Sequence, residues 1–140
     1  MTAFASPCAR IDREAQVVML STCEDALPQI QELWPRFERL VGLRGRKMYA
    51  VADLVAGTYS TCTPVRSGDD PERLGLNLGS LPGGRFLRGH LHGEPPEIYR
   101  SIGPGFDELE ATAGGVDRSR PLVEFYKRHN EIELWLPVAD

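Results

Sequence analysis

The order in which the hydrophobic patterns change along the chain is the strongest constraint on its fold. A run rich in Val and Leu at residues 15–21 predicts a strand, and apolar residues spaced by three and four over 27–41 predict one face of a helix. Strand patterns follow at 48–54 and 57–65. The order strand–helix–strand–strand returns over 84–138, so we expect two tandem units.

The second unit has a strand at residues 85–92, a helix after Pro95 and closing strands at 122–127 and 131–138. Gly103-Pro104-Gly105 falls inside this helical pattern and predicts two short pieces. A proline inside the first helix, Pro35, predicts a kink or a local break. Short strands, hairpin connections and two main helices indicate an α+β fold.

A chain of 140 residues fits one domain. Residues 1–14 mix small, polar and charged types and predict a loose leader. The domain is therefore expected to span 15–140, with pseudo-repeats at about 15–65 and 84–138.

Composition argues against several classes of function. The net charge is −4 and Lys and Arg form no stripe, so we expect no direct nucleic-acid partner and a preference for cations. The three cysteines form no CxxC pair, and His90 and His92 lack a third ligand nearby, so no metal and no cofactor is expected. No signal peptide or long apolar run is present, which predicts a cytoplasmic protein without a membrane partner.

Glu124 is the main candidate for chemistry. It lies in Leu122-Val-Glu-Phe-Tyr126, where alternation places Glu124 and Tyr126 on one face of a strand. If Val123 and Phe125 meet the helices, Glu124 points into a cleft. A carboxylate among aromatic residues has a raised pKa, which suits a cation site or a general base. The alternative is a solvated glutamate on an outer face.

The register of the last hairpin decides what accompanies Glu124. A two-residue turn at His129-Asn130 places Glu124 opposite Trp135 and Tyr126 opposite Glu133. Two carboxylates and two aromatic rings would then form one patch suited to a flat cation. A three-residue loop would break this grouping, and Trp135 would then simply pack in the core. The aliphatic alternation of Ile132, Leu134 and Leu136 predicts a buried face in either case.

Aromatic residues elsewhere complete the candidate set. Phe37 is expected in the core, whereas the indole N–H of Trp34 needs a partner. Tyr49, Tyr59 and Tyr99 are lesser candidates.

Five short motifs in this order resemble the GyrI-like superfamily of effector-binding domains. They are a helix with a Trp followed by an aromatic residue, a Tyr-bearing strand, a Pro-x-Gly-type turn, a Glu-x-Tyr strand and a closing strand of the pattern Glu-aliphatic-aromatic-aliphatic-Pro-aliphatic, at Ile30–Phe37, Met48–Val51, Leu81–Phe86, Glu124–Tyr126 and Glu133–Val138. Leu91 departs from the pattern, since a histidine is usual there. With no helix-turn-helix segment before the domain, the chain resembles free-standing members such as integron-cassette effector-binding proteins.

This resemblance implies two tandem units that form a curved antiparallel sheet with a cleft between them. Relatives bind cationic, aromatic or drug-like compounds, and by motif their charge partner falls on Glu124. The resemblance also implies that Trp34 lies at the cleft wall. The expected ligand-binding residues are therefore Glu124, Tyr126, Trp34, Trp135, Glu133 and Tyr49.

Two other functions stay open at this point. One is hydrolysis of a strained electrophilic toxin with Glu124 as base and Tyr126 as orienting group, which some relatives perform. The other is inhibition of a gyrase-like enzyme through protein binding. A homodimer and a separate regulator protein also stay open as partners.

Overall fold

The computed structural model describes residues 2–139, which form one curved sheet with helices packed against it. All strand pairs in the sheet are antiparallel. The strands are β1 Ala9–Arg13, β2 Gln16–Glu24, β3 Met48–Asp53, β4 Thr58–Pro64, β5 Asn77–Leu81, β6 Gly84–His92, β7 Leu122–Arg128 and β8 Glu131–Pro137. The helices are α1 Leu27–Val41, α2 Pro71–Leu74, α3 Glu97–Arg100 and α4 Ile102–Ala113. The α+β prediction with a curved antiparallel sheet is confirmed.

The sheet has two halves that meet in its middle. The strand order is β1-β6-β8-β7-β3-β4-β2-β5. The first half contains β3, β4, β2 and β5, and the second contains β1, β6, β8 and β7. Each half holds a strand–helix–strand–strand unit, as the repeated pattern predicts. The halves join where β3 pairs with β7, with Ala50 opposite Glu124.

The two long helices lie on the same face of the sheet. Ala50, Glu124 and Leu134 are direct neighbours in one row across β3, β7 and β8 and therefore share a face. Ala50 packs with Leu33 of α1, and Leu134 packs with Leu109 of α4. We call this the helix face, and we call the side that carries Tyr49, Val123 and Trp135 the reverse face. Because α1 covers β2 and β4 while α4 covers β6 and β8, β3 and β7 lie between the helices.

The segment before residue 15 is part of the sheet, contrary to the prediction of a loose leader. Residues 9–13 form β1, which pairs with β6, and Phe4 is buried in the core beneath α4. The weak apolar pattern of this segment conceals the strand, because only alternate residues such as Ile11 meet the core.

The helices differ from prediction in detail. α1 runs through Pro35 without interruption and ends at Gly42, whose φ of 73° few other residues tolerate. The second helical region does divide into two pieces, α3 and α4. The break falls at Ser101, however, and Gly103-Pro104-Gly105 lies inside the first turn of α4, where proline is tolerated. No helix within residues 2–139 is both long and apolar enough to cross a membrane.

Candidate functional site

Glu124 occupies the centre of the helix face, on the strand where the two halves of the sheet meet. Its side chain lies in the row between Ala50 of β3 and Leu134 of β8. Only 7% of the residue is exposed. The sequence prediction for Glu124 assumed that Val123 and Phe125 face the helices, and the structure shows that they do not. Glu124 itself faces the helix side and lies between α1 and α4.

Three aromatic side chains form a hydrogen-bonded network around the Glu124 carboxylate. The Tyr126 hydroxyl donates to Glu124 Oε1 at 2.5 Å, and the Tyr59 hydroxyl donates to the same oxygen at 3.2 Å. Trp34 Nε1 donates in turn to the Tyr59 hydroxyl oxygen at 2.9 Å. The indole N–H of Trp34 therefore has the partner that its position on α1 required. One carboxylate oxygen is thus held by two donors that are themselves fixed in place.

The electrostatics of this site favour a protonated or cation-bound carboxyl. Burial raises the pKa of Glu124, the hydrogen bonds from Tyr126 and Tyr59 lower it in part, and the nearby charge of Asp25 raises it further. Burial likewise raises the pKa values of Tyr59 and Tyr126, so both hydroxyls keep their protons and act as donors. Within residues 2–139, Glu124 forms no ion pair with any Lys, Arg or His. The site therefore holds a buried acid without a positive partner.

Two aromatic rings lie beside Glu124 and contact each other. The rings of Trp34 and Tyr126 meet edge to face, with centroids 4.8 Å apart and planes inclined by 67°. Both residues are half-buried, so each shows part of its surface to the solvent. A ligand that reaches the carboxylate must displace at least one of the two rings. Tyr126 also packs against the cores beneath both α1 and α4, which places it at the junction of the two halves.

A separate cavity lies beside the first residue of β7. Leu122 lies on the same face of β7 as Glu124, and it lines a cavity of about 210 Å³. Phe106 of α4 and Asp53 at the end of β3 line the same cavity. A compound larger than the space vacated by one ring could therefore extend towards this cavity.

The predicted register of the last hairpin is wrong, although its turn is correct. Arg128 does lie opposite Glu131, as a two-residue turn requires, but a β-bulge follows and makes Lys127 an extra residue on β7. Glu124 therefore pairs with Leu134 and Tyr126 with Ile132. A shift of one residue moves every side chain to the other face.

The bulge separates the predicted ligand-binding residues into two groups. Glu124, Tyr126 and Trp34 come together on the helix face. Glu133, Trp135 and Tyr49 lie on the reverse face, so the single patch of two carboxylates and two rings does not form. Ile132 and Leu134 are buried against α4, as their alternation predicts. Phe37 of α1 is fully buried in the core between that helix and the sheet.

The residues on the reverse face pack tightly with one another. Tyr49 stacks on Phe125, with ring centroids 4.6 Å apart, and Trp135 is only 1% exposed. Trp135 Nε1 donates to Glu133 Oε1 at 3.0 Å, so this indole is satisfied within its own strand. Trp135 thus has the packing role that formed the alternative interpretation of the sequence.

Tyr59 is the residue that sequence reasoning valued too little. It lies on β4, two strands away from Glu124, and reaches the carboxylate across β3. Only the registers of β3 with β4 and with β7 bring them together, and no spacing in the sequence encodes either register.

Within residues 2–139, no three His, Cys, Asp or Glu side chains are grouped so that they could hold a metal ion.

Comparison with known proteins identifies the fold through solved structures alone. No protein-family model and no curated protein sequence matches the chain. An integron cassette protein from the mobile metagenome of Vibrio cholerae superposes with a TM-score of 0.71 at 15% identity, over 94% of this chain and 95% of that chain. SAV2435, solved with bound tetraphenylphosphonium, superposes with a TM-score of 0.64 at 16% identity, over 96% and 94% of the two chains.

A hydrolase from Listeria innocua is also similar, with a TM-score of 0.55 at 12% identity over 94% of this chain and 91% of that chain. The similarity extends over nearly the full length in each case. The chain thus shares with these structures one fold, a curved antiparallel sheet with helices on one face.

Proposed function

We propose that this chain is a GyrI-like effector-binding domain that takes a small lipophilic cation at Glu124. One observation carries the proposal: the carboxylate of Glu124 is buried on the helix face with hydrogen-bond donors, and no Lys, Arg or His among residues 2–139 pairs with it. Removing an acid from water without a counter-charge is costly, so a ligand that supplies the charge gains the interaction that the fold leaves open.

The residues around Glu124 determine which cations fit. Trp34, Tyr59 and Tyr126 present aromatic rings, and a cation against such rings gains about 1–2 kcal/mol when water is excluded. The floor of the site is apolar, with Ala50 and Leu134 on either side of the acid. This setting favours a delocalised or quaternary cation with apolar substituents over a metal ion or a strongly hydrated amine. SAV2435 was solved with such a cation, and this supports the proposal by analogy of fold.

Binding requires the aromatic rings to move. Because Trp34 and Tyr126 cover the acid, the ligand must displace a ring and then gain contact with it. Tyr126 is the better candidate for displacement, since Glu124 would lose only the hydrogen bond from Tyr126 and would keep the one from Tyr59. The indole of Trp34 then stays hydrogen-bonded to Tyr59 and forms one wall.

The chain offers a matched pair of variants for a test. Glu124 and Glu133 are equally buried, at 7% and 5% exposure, but lie on opposite faces. Isothermal titration of tetraphenylphosphonium is expected to give a dissociation constant in wild type that rises at least about tenfold in Glu124→Gln, equivalent to about 1.4 kcal/mol. Glu133→Gln is expected to bind like wild type. Equal losses in both variants, or no loss in either, would contradict the proposal.

Hydrolysis is the second candidate, favoured by the raised pKa of Glu124 beside a hydroxyl donor. A carboxylate with a raised pKa is a better general base near neutral pH, and it could direct water onto a strained electrophile that Tyr126 orients. Product formation from an epoxide or a cyclopropane, lost in Glu124→Gln, would support this function. Binding without turnover would exclude it for the compounds tested.

A further inference from the structure

The reverse face of the sheet carries two arginines, Arg88 and Arg13, that have no acceptor among residues 2–139. They lie beside Trp135, on the side of β7 and β8 away from Glu124. Neither guanidinium forms a hydrogen bond or an ion pair with any residue in the range 2–139. This contrasts with Arg46 and Arg120, which are each held by several acceptors.

Arg88 is the more constrained of the two. It lies on β6 directly opposite Trp135 of β8, and its other neighbour across the sheet is Ala9 of β1. Its Nε is fully buried and has no hydrogen-bond partner in the described chain. A buried donor without an acceptor destabilises the fold, and does so more when it carries charge. Ala9 contributes only a methyl group on this side of Arg88.

Arg13 reaches Trp135 from the end of β1. Its guanidinium carbon lies 4.7 Å from the centre of the Trp135 ring. Its partner across the sheet is Gly84, and the space above that glycine is filled by the guanidinium of Arg120, which Asp117 and three backbone carbonyls hold. The positive charge of Arg13 also lowers the pKa of Tyr49, which burial raises. The charge of Arg13 therefore influences the buried Tyr49 hydroxyl on the reverse face.

The acids near this pair of arginines are already compensated by other groups. Glu133 Oε1 accepts from Trp135 Nε1, and Glu133 Oε2 lies 3.5 Å from Lys127 Nζ and 3.9 Å from His90 Nδ1. Glu131 is paired with Arg128 at 2.8 Å. The charges of Arg88 and Arg13 therefore remain available to a ligand.

We propose that Arg88 and Arg13 form an oxyanion site on the reverse face that takes the carboxylate or phosphate group of a small molecule. A guanidinium binds such groups through two parallel N–H donors, which would satisfy the buried Nε of Arg88. Arg13 closes over the bound group from the side of Trp135. This site is separated from Glu124 by the sheet, has the opposite charge and does not depend on the function proposed above.

The two tryptophans allow each face to be observed separately. The indole N–H of Trp135 reports on the reverse face and that of Trp34 on the helix face. In ¹H–¹⁵N spectra, titration with benzoate, phenyl phosphate or inorganic phosphate is expected to shift the Trp135 indole and the Arg88 Nε–H signals and to leave Trp34 in place. Benzylamine, the cation matched to benzoate, is expected to leave Trp135 unmoved. The order of the three anions shows whether a carboxylate or a phosphate is preferred.

The variant Arg88→Met removes the donors and keeps the length of the side chain. It is expected to weaken anion binding at least about tenfold, because a charge-assisted bidentate contact is lost. Arg100→Met removes the same charge from an exposed position, 74% exposed on α3, and is expected to bind like wild type. Arg88→Lys keeps the charge without the planar fork, and is expected to bind more weakly than wild type. An unchanged Trp34 signal shows that each variant is folded.

Three results would overturn the proposal. The first is a Trp135 indole signal that does not shift with any of the three anions at concentrations up to about 10 mM, because binding would then be weaker than millimolar. The second is a shift that persists in Arg88→Met, and the third is an equal loss in Arg100→Met. Full affinity in Arg88→Lys would contradict the bidentate contact specifically.

Discussion

Glu124 is a residue whose position costs the free protein stability. Its carboxylate is buried, accepts from two tyrosines and lacks a cation among the described residues. Hydrogen bonds recover part of the lost hydration, but the pKa still lies above its usual range because burial outweighs them. A leucine at this position would pack without this cost.

Glu124→Gln is expected to stabilise the unliganded protein at neutral pH. A carboxyl whose folded pKa is raised contributes stability below its unfolded pKa, of about 4.3, and loses it as the pH rises through the folded pKa. The variant should therefore exceed wild type by at least about 1 kcal/mol at pH 8, since a neutral amide is less costly to bury. The difference should shrink as the pH falls towards 5. Urea unfolding at several pH values measures it, and a variant no more stable than wild type at pH 8 would refute the argument.

Among the structural elements, the hairpin of β7 and β8 decides the composition of the site. From the sequence alone one could predict both strands, the turn at His129-Asn130, the buried aliphatic face and Glu124 as the central acid. The bulge at Lys127 could not be predicted, because an extra residue leaves no mark on the alternation of either strand. Its effect is large, since it moves Glu133 and Trp135 away from Glu124. Tyr59 was undervalued for a related reason, because its position depends on pairing between strands far apart in sequence.

The connections around α1 and α2 depend on a buried ion pair. Arg46, in the loop after α1, donates to both oxygens of Asp69, in the loop before α2, at 2.7 and 2.6 Å. The two side chains are only 5% and 10% exposed, and the hydrogen bonds from Arg46 lower the pKa of Asp69 to about 2. The pair therefore holds two long loops together at one end of the first half.

Asp69→Asn is expected to destabilise the fold by about 3 kcal/mol, because it leaves the Arg46 charge buried without its partner. The lowered pKa means that the contribution of Asp69 is present above its unfolded pKa, of about 3.9, and is lost only as the pH falls through the folded value. The difference should therefore be constant between pH 5 and pH 8 in urea unfolding. Asp12→Asn, which breaks an exposed ion pair with Arg85, is the control and should resemble wild type. A loss below about 1 kcal/mol would mean that the pair behaves like a surface pair.

At the scale of the whole molecule, the first residues of the chain complete the second half of the sheet, whose other strands come from the C-terminal part of the sequence. β1 pairs with β6, and Phe4 packs where Gly89 of β6 and Gly105 of α4 leave space. A Cβ at Gly89 would lie 2.4 Å from Phe4 Cε1. The absence of side chains at these two glycines therefore accommodates the ring. The second half depends on residues at the other end of the sequence for part of its core.

Phe4→Ala is expected to cost about 3 kcal/mol, since a large buried ring leaves a cavity that glycines cannot fill. Urea unfolding measures the loss, and amide exchange should rise in α4 and β6 before it rises in α1 and β4. Phe4→Leu, which keeps most of the volume, should lose less than half as much. Exchange that rises uniformly in both halves would show that Phe4 supports the whole sheet rather than the second half.

The join between β3 and β7 has a consequence for how such a protein could have arisen. The first half supplies Trp34 and Tyr59, and the second supplies Glu124 and Tyr126, so the acid and its donors assemble only where the halves meet. A half-length ancestor would have had no such pocket by itself and would have acquired one only by association with a second copy. Either half alone would therefore hold only part of the hydrogen-bonded network around Glu124.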